Sequence, residues 1–257
     1  AFTVGNGTRQ GGILSPCLFN RYIYDLLLLV SRQKVGCNIG GVFANVFAYA
    51  DDIVLLAPSW QALQALLCVL ENGILAIDMS CNTRKTVCMV FSPRQKRKVV
   101  SPHFPPLRLF GTDLLYVDNF KYLGHIIDNK LNDDADIQRE IRNLFTRANI
   151  LTRRFSLCSQ SVKVALFKSY CISLYGCALW RNHTVSSLSK LRSCYHRCVK
   201  TFFGYKRHDS MTAVLFKLSI PSFNTLLHNS RCILRSQTVN CINSLLQACC
   251  SRVAAII

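Results

Sequence analysis

Acidic residues are scarce in this sequence. Its 257 residues carry 13 Asp and Glu against 31 Lys and Arg, a formal net charge of +18. Long apolar runs are missing too: half of the residues are hydrophobic, yet no uninterrupted run exceeds the six residues 65–70. A membrane-crossing helix needs about 20 consecutive apolar residues, so no membrane partner is expected. No C-x-x-C pair occurs among the 14 cysteines, and the tightest cluster, Cys194-Tyr195-His196-Arg197-Cys198, has the spacing of no common zinc module. The scattered thiols, among them Cys17, Cys68, Cys88, Cys171 and Cys232, are therefore expected as buried free cysteines in a reducing compartment. There is neither an initiator Met nor a signal peptide. Ala1 opens directly into sequence of mid-domain character, so a partial product is expected.

The positive charge is unevenly placed. Residues 1–56 hold 4 basic and 3 acidic groups, residues 57–136 hold 9 and 8, and residues 137–257 hold 18 and 2. Nearly all of the excess therefore lies in the second half, which points to a polyanionic partner, with nucleic acid ahead of a membrane surface. The length suits two domains or subdomains.

Hydrophobic patterning divides the chain at the same place. Gly11-Gly12 precede Ser15 and Pro16, which predict a helix with Ser15 as N-cap and Pro16 at its first position, running through Val30. Glycines just ahead of a helix N-terminus allow close backbone approach to a phosphate, or mark an ordinary loop–helix junction. Ser59 is expected to cap a helix over 60–77, with Leu63, Leu66, Leu67, Leu70 and Leu75 on its apolar face. Strands are expected over 86–91, 114–117 and 120–127, the last two joined through Asp118-Asn119, and residues 93–106 read as a Pro-rich basic loop around Arg94, Lys96, Arg97 and Lys98. Strands separated by helices in this way suggest an α+β fold, a split βαβ sheet with helices on one face. Beyond Asn129 the period changes to 3.6. Asp133, Asp134 and Asp136 suit the start of a helix. Along it, Ile137, Ile141, Leu144, Ala148, Leu151 and Phe155 share one face, and Arg139, Arg142, Arg147, Arg153 and Arg154 share the opposite one. With Glu140 as the one acid in that stretch, the arginine row reads as a nucleic-acid-facing surface. Further helices are expected over 162–180, 185–203 and 222–246.

Within the first half, Asp51 and Asp52 stand between the apolar runs 46–50 and 53–57. Asp is disfavoured in strands, and burying an ionised carboxylate without a partner is costly. A divalent metal at a strand–turn–strand tip would offset that cost, whereas a polar hairpin turn needs no metal.

Four segments occur in order: Arg9-Gln10-Gly11-Gly12-Ile13-Leu14-Ser15-Pro16, Phe47-Ala48-Tyr49-Ala50-Asp51-Asp52, Asn82-Thr83-Arg84-Lys85-Thr86 and Tyr122-Leu123-Gly124. Together they resemble the palm of a reverse transcriptase of the non-LTR (LINE-type) retrotransposon class. The resemblance is strong over about residues 1–128 and looser over the basic helices. It implies an incomplete polymerase palm over 1–129 and a basic all-α thumb and extension over 130–257. It implies an RNA-directed DNA polymerase acting in an intracellular ribonucleoprotein, with an RNA template, a DNA primer or duplex and deoxynucleoside triphosphates as partners. Asp51 and Asp52 match the catalytic carboxylates that hold two Mg2+ ions for nucleotidyl transfer. Lys85 matches a general acid for the leaving pyrophosphate. Arg9, Gln10, Gly11, Gly12 and Tyr49 match the nucleotide and template pocket, Tyr122, Leu123 and Gly124 match the primer grip, and the arginine-faced helix matches the thumb.

One departure from the family's pattern is substantial. The family places a third aspartate and the template-clamping fingers ahead of the Gln-Gly-Gly segment, and none of the nine residues before Gln10 is Asp or Glu. The chain alone is therefore expected to be inactive. A non-catalytic retroelement remnant that binds nucleic acid through its basic helices is the alternative, and an organellar intron maturase lineage is a third reading.

Overall fold

The computed structural model describes residues 11–39, 41–92 and 103–248. The chain divides into two compact units: one of Ala1–Cys88, Val100–Tyr116 and Cys241–Ile257, the other of Met89–Val99 and Val117–Asn240. Among the described residues no helix is long and apolar enough to cross a membrane.

The first unit opens on α1 (Ser15–Ser31). Pro16 sits in its first turn, where a missing N–H costs nothing. Ser15, expected as the cap, is instead the first helical residue; Leu14 holds the N-cap position without a side-chain cap hydrogen bond. The hairpins β1 (Cys37–Ile39)–β2 (Val42–Ala44) and β3 (Val46–Tyr49)–β4 (Asp52–Leu55) follow. Helix α2 (Trp60–Ala76) begins as expected, with the Ser59 hydroxyl accepting from the Ala62 N–H at 3.2 Å. After β5 (Val87–Cys88) come the hairpin β6 (Arg108–Leu109)–β7 (Thr112–Asp113) and β8 (Leu115–Tyr116), which pairs with β5 in parallel.

The class is α+β, but a single split βαβ sheet is not formed among the described residues. Every ladder is two-stranded, and the helices hold the pieces together. Leu26 and Val30 of α1 pack with Leu66, Leu70 and Ile74 of α2, and Val46, Ile53 and Leu55 of the second hairpin lie on that cluster. Gly73 lets the two helices approach closely, since a Cβ there would stand 2.4 Å from Leu26 Cδ1. Ile74 takes the core position expected of Leu75, which is exposed. On another side of α2, Leu67, Trp60 and Leu63 meet Cys88, Leu107, Leu109 and Leu114. There the Gln64 amide pairs with the backbone of Arg108 in both directions, at 2.9 and 3.0 Å.

The second unit begins with the hairpin β9 (Asn119–Tyr122)–β10 (His125–Asp128). Patterning reads a strand over 120–127, and the resemblance implies a hairpin there. The chain reverses at Leu123 (φ 47) and Gly124 (φ 81), two consecutive left-handed residues that make a tight hairpin turn. Five helices follow: α3 (Asp134–Arg154), α4 (Gln160–Cys171), α5 (Val185–Phe203), α6 (Met211–Leu218) and α7 (Phe223–Val239). The helix expected over 162–180 stops at Cys171, and residues 172–180 form turns in which Gly176 adopts φ 82. Helix α6 was not foreseen; Ser210 caps it, and it is too short to show a clear period. Helix α7 ends at Val239 rather than 246. All five helices contribute to one core, including Ile137, Leu144, Phe167, Tyr195, Val199, Val214 and Phe223, with Trp180 fully buried beside them.

The twelve described cysteines are all free. Cys88, Cys171, Cys177, Cys194 and Cys198 are buried, whereas Cys17, Cys68 and Cys232 are exposed, against expectation. Burial pushes the Cys88 and Cys171 thiols up to about 11, which keeps them protonated and unreactive.

Candidate active site

Asp51 and Asp52 occupy the tip of the β3–β4 hairpin. The register pairs Tyr49 with Asp52, so the turn is Ala50-Asp51, with Ala50 in a left-handed conformation (φ 52). Both aspartates are exposed, as is Tyr49 at 65%. Among the described residues neither carboxylate has a hydrogen-bond or ion-pair partner. The buried-charge cost anticipated for this stretch is therefore not incurred: the apolar residues Val46, Ile53 and Leu55 sit on the core, and the acids project past it.

The base of this hairpin is held by a residue with no local signal to mark it. Asn45 is 1% exposed, and its side-chain amide donates to the carbonyls of Val30, Gln33 and Val35 at 3.0–3.1 Å, with Ser31 at 3.4 Å. Carbonyls at a helix C-terminus lack intrahelical partners, and the two N–H groups of this amide are shared among those at and just past the end of α1, while the Asn45 backbone carbonyl accepts from Leu56 N–H at 2.9 Å. Gly36 makes room for it: a Cβ there would lie 2.4 Å from Asn45 Cβ, and its φ is +134. The hairpin carrying the two acids is thereby pinned to the end of α1.

The other sequence-derived residues of this unit lie on separate elements. Arg9 and Gln10 fall outside the described residues. Gly11 has φ +79 and open space where a side chain would be, and Gly12 accepts from Ser15 N–H at 3.2 Å at the start of α1. Lys85 is exposed in a turn organised by Asn82, whose backbone carbonyl and side-chain oxygen accept from Lys85 N–H at 3.1 and 3.2 Å. It precedes β5, which belongs to a different ladder from the acidic hairpin. The basic cluster Arg94, Lys96, Arg97 and Lys98 lies outside the described residues.

In the second unit, Tyr122 ends β9 opposite His125, and Leu123 and Gly124 form the β9–β10 turn. The arginine row on α3 needs correction. Arg142, Arg153 and Arg154 are exposed as expected, but Arg139 is only 8% exposed and Arg147 is half-buried. The reason is a pair of fully buried acids. Asp136 accepts from Arg139 Nε at 2.6 Å and from its Nη2 at 3.1 Å; Glu140 accepts from Arg139 Nη1 at 3.1 Å and also pairs with Arg147. Burial by itself would raise the Asp136 carboxyl, but the His125 ring 2.9 Å away and hydrogen bonds from Arg139, Ile126 N–H and Trp180 outweigh it and hold the group well below the usual carboxylate range. Asp133 and Asp134 likewise do more than suit a helix dipole. Asp133 accepts from Arg181 and Asn182 N–H at 2.7 Å, and Asp134 accepts from Thr184 N–H at 2.9 Å, tying the 181–184 loop to the start of α3.

Asp51 and Asp52 fit a Mg2+ ion by donor type and exposure. Their oxygens are hard donors, open to solvent and uncommitted. No third His, Cys, Asp or Glu joins them in a metal-sized group among the described residues. Mg2+ is commonly held by one or two carboxylates with water and substrate phosphates, so the pair suits a site that substrate helps to complete.

Comparison with known proteins bears on the family of this unit. Residues 1–127 match the family model described as reverse transcriptase (RNA-dependent DNA polymerase). The chain is 33% identical over 144 residues to the Retrovirus-related Pol polyprotein from type-1 retrotransposable element R2 of Nasonia vitripennis, covering 52% of this chain and 14% of that protein. It is 32% identical over 133 residues to the corresponding polyprotein of element R2DM of Drosophila melanogaster, covering 48% and 12%. A longer match, 25% identical over 214 residues, covers 77% of the chain and 22% of the RNA-directed DNA polymerase from mobile element jockey of Drosophila funebris. The chain thus spans 12–22% of the length of these relatives. Through residues 1–127, which contain the exposed Asp51-Asp52 tip, it belongs to the reverse transcriptase family.

Proposed function

We propose that this chain is part of an RNA-directed DNA polymerase of a non-LTR retrotransposon. The observation that carries the reading is the Asp51-Asp52 tip: two exposed carboxylates without partners among the described residues, on a hairpin whose base packs against the core. Acids held in this way are available to a ligand and contribute little to the fold. In the proposed enzyme Asp51 and Asp52 hold Mg2+, which when bound lowers the pKa of the primer 3′-hydroxyl and steadies the triphosphate. Tyr49, paired with Asp52 across the ladder, lies beside the primer terminus and incoming nucleotide. The open backbone at Gly11 and the start of α1 offer N–H groups to template or nucleotide phosphate. Lys85 donates a proton to the departing pyrophosphate. The Tyr122-Leu123-Gly124 turn holds the primer strand. Arg142, Arg153 and Arg154, exposed on α3, contact duplex phosphates as parts of a thumb, with residues 1–129 supplying the palm.

Two measurements on the 257-residue chain test this reading. It is expected to bind a DNA primer annealed to an RNA template, with an affinity that falls as salt rises and is unchanged in Asp51→Ala. With two carboxylates at the tip and no third acid grouped with them among the described residues, it is expected not to extend that primer with Mg2+ and deoxynucleoside triphosphates. A polypeptide that continues further on the N-terminal side and carries the same residues is expected to extend it, and to lose extension in Asp51→Ala. Failure of that longer polypeptide to extend, with binding intact, would favour the non-catalytic remnant.

A further inference from the structure

The β9–β10 turn is held from outside by residues in none of the recognised motifs. Tyr175 OH donates to the Leu123 carbonyl at 2.7 Å, at the apex of the turn. Its ring fills the space beside Gly124, where a Cβ would lie 3.2 Å from Tyr175 Cε1. Immediately after the turn, Ile126 N–H donates to Asp136 Oδ1 at 2.9 Å, and His125 Nδ1 lies 2.9 Å from Asp136 Oδ2. The same carboxylate accepts from Trp180 Nε1 at 2.8 Å. Arg139, anchored on Asp136, reaches Tyr175 with an Nη2 hydrogen bond to its carbonyl at 3.1 Å and with its guanidinium 5.8 Å from the ring centroid. Gly176 is required beside them, since a Cβ there would meet His125 Nδ1 at 2.7 Å. One buried acid thus ties the hairpin, α3 and the 174–180 turns into a rigid set, with Tyr175 as its contact on the turn itself.

We propose that Tyr175 and Asp136 are positioning residues that fix the Tyr122-Leu123-Gly124 turn where a primer terminus is held. This rests on reading that turn as the primer grip. An exposed hairpin tip with two left-handed residues has several conformations open to it, and a turn that orients a primer end must keep one. Asp136 acts from inside, through Ile126 and His125. Tyr175, half exposed, acts on the tip.

The test uses Tyr175→Phe in the 257-residue chain, which keeps the ring and loses only the hydroxyl, so the packing beside Gly124 is retained. Two readouts are needed. The first is hydrogen exchange at the amides of residues 124–126, which is expected to accelerate roughly threefold to tenfold, the range for one neutral hydrogen bond. The second uses a primer–template duplex carrying 2-aminopurine either at the primer 3′ end or ten nucleotides back. On saturation the wild-type chain is expected to change the terminal probe's fluorescence. Tyr175→Phe is expected to cut that change at least threefold while duplex affinity and the internal probe stay within twofold. Asp136→Asn is the second variant, with the larger acceleration expected at Ile126. Unchanged exchange in both variants would show that the turn is not clamped. Faster exchange with an undiminished terminal signal would make the clamp structural and overturn its positioning role. A wild-type chain that binds duplex but leaves the terminal probe unchanged would overturn the grip reading itself, and the positioning role with it.

Discussion

Two pairs of acids in this molecule are treated in opposite ways. Asp51 and Asp52 of the first unit are exposed at a hairpin tip, with no side-chain partner among the described residues. Asp136 and Glu140 of the second unit have no exposed surface, and Arg139 and Arg147 neutralise them. In a chain this poor in acid, the contrast separates roles. A carboxylate that is buried and fully hydrogen-bonded is committed to the fold, because freeing it would leave an unpaired charge in the interior. One left in water with its lone pairs open is available for an external cation. Proximity of acid and base in sequence points the same way: Glu140 lies among the arginines and is structural, whereas Asp51 and Asp52 have no base nearby and are the functional candidates.

The sharpest way to break this comparison is to remove the buried charge. Asp136→Asn is expected to destabilise the second unit by about 3–5 kcal/mol, the usual cost of leaving a buried ion pair without one partner, measured by urea unfolding. A loss below about 1 kcal/mol would show that Glu140 alone satisfies Arg139. The effect carries a pH signature. Because the Asp136 carboxyl is held below its ordinary range, its contribution is complete above the unfolded pKa of about 3.9 and fades as pH falls below it. The stability gap between wild type and Asp136→Asn is therefore expected to narrow below about pH 4. The groups facing Asp136 are His125, Arg139 and Trp180, with Glu140 and Arg147 next in the network.

In the first unit the matching structural polar group is Asn45, which is uncharged. Asn45→Leu removes the donor to the Val30, Gln33 and Val35 carbonyls and is expected to cost about 1–3 kcal/mol. Gly36→Ala acts on the same place by pressing a Cβ into Asn45, and is expected to cost a similar amount. If both leave the unfolding midpoint unchanged, the hairpin base is not held by this amide.

How much of this was legible in the sequence depends on whether a residue's partner is close to it along the chain. The Ser59 cap, the α2 core face at Leu66, Leu67 and Leu70, and the apolar stripe of α3 could be read because their signals are local and periodic. The Tyr-Ala-Asp-Asp hairpin could be read because two acids between apolar runs are unusual. Asn45, Asp136 and Tyr175 could not. Each is a single polar residue whose role depends on distant partners: Val30 and Val35 lie 15 and 10 positions from Asn45, Trp180 lies 44 from Asp136, and Leu123 lies 52 from Tyr175. The helical wheel failed at Arg139 for the same reason: it places a side chain around an axis but does not know that a hairpin and the 174–180 turns cover that side.

That failure sharpens the binding prediction. Changing Arg142, Arg153 and Arg154 together to Gln is expected to lower duplex affinity and flatten its log–log salt dependence by roughly two to three units, since each phosphate contact contributes about 0.9. Arg139→Gln is expected to leave the slope unchanged while lowering stability. Equal effects of the two changes on the slope would mean that buried and exposed arginines are not distinguished as proposed.

The smallest expected effect is the most informative about the acidic tip. Asp51→Asn and Asp52→Asn should each move the unfolding free energy by no more than about 0.5 kcal/mol, as for exposed side chains outside any packed or paired feature. They should leave exchange at residues 46–49 and 52–55 unaltered, because the hairpin is held at Asn45, Ile53 and Leu55. Binding of Mn2+, as a paramagnetic stand-in for Mg2+, should weaken in both variants when measured by relaxation of the tip resonances in the presence of a deoxynucleoside triphosphate. A destabilisation above about 1 kcal/mol would mean that these carboxylates do hold the fold, and would remove the ground for treating them differently from Asp136. Neutral stability together with lost cation binding would leave ligand binding as the role of the pair.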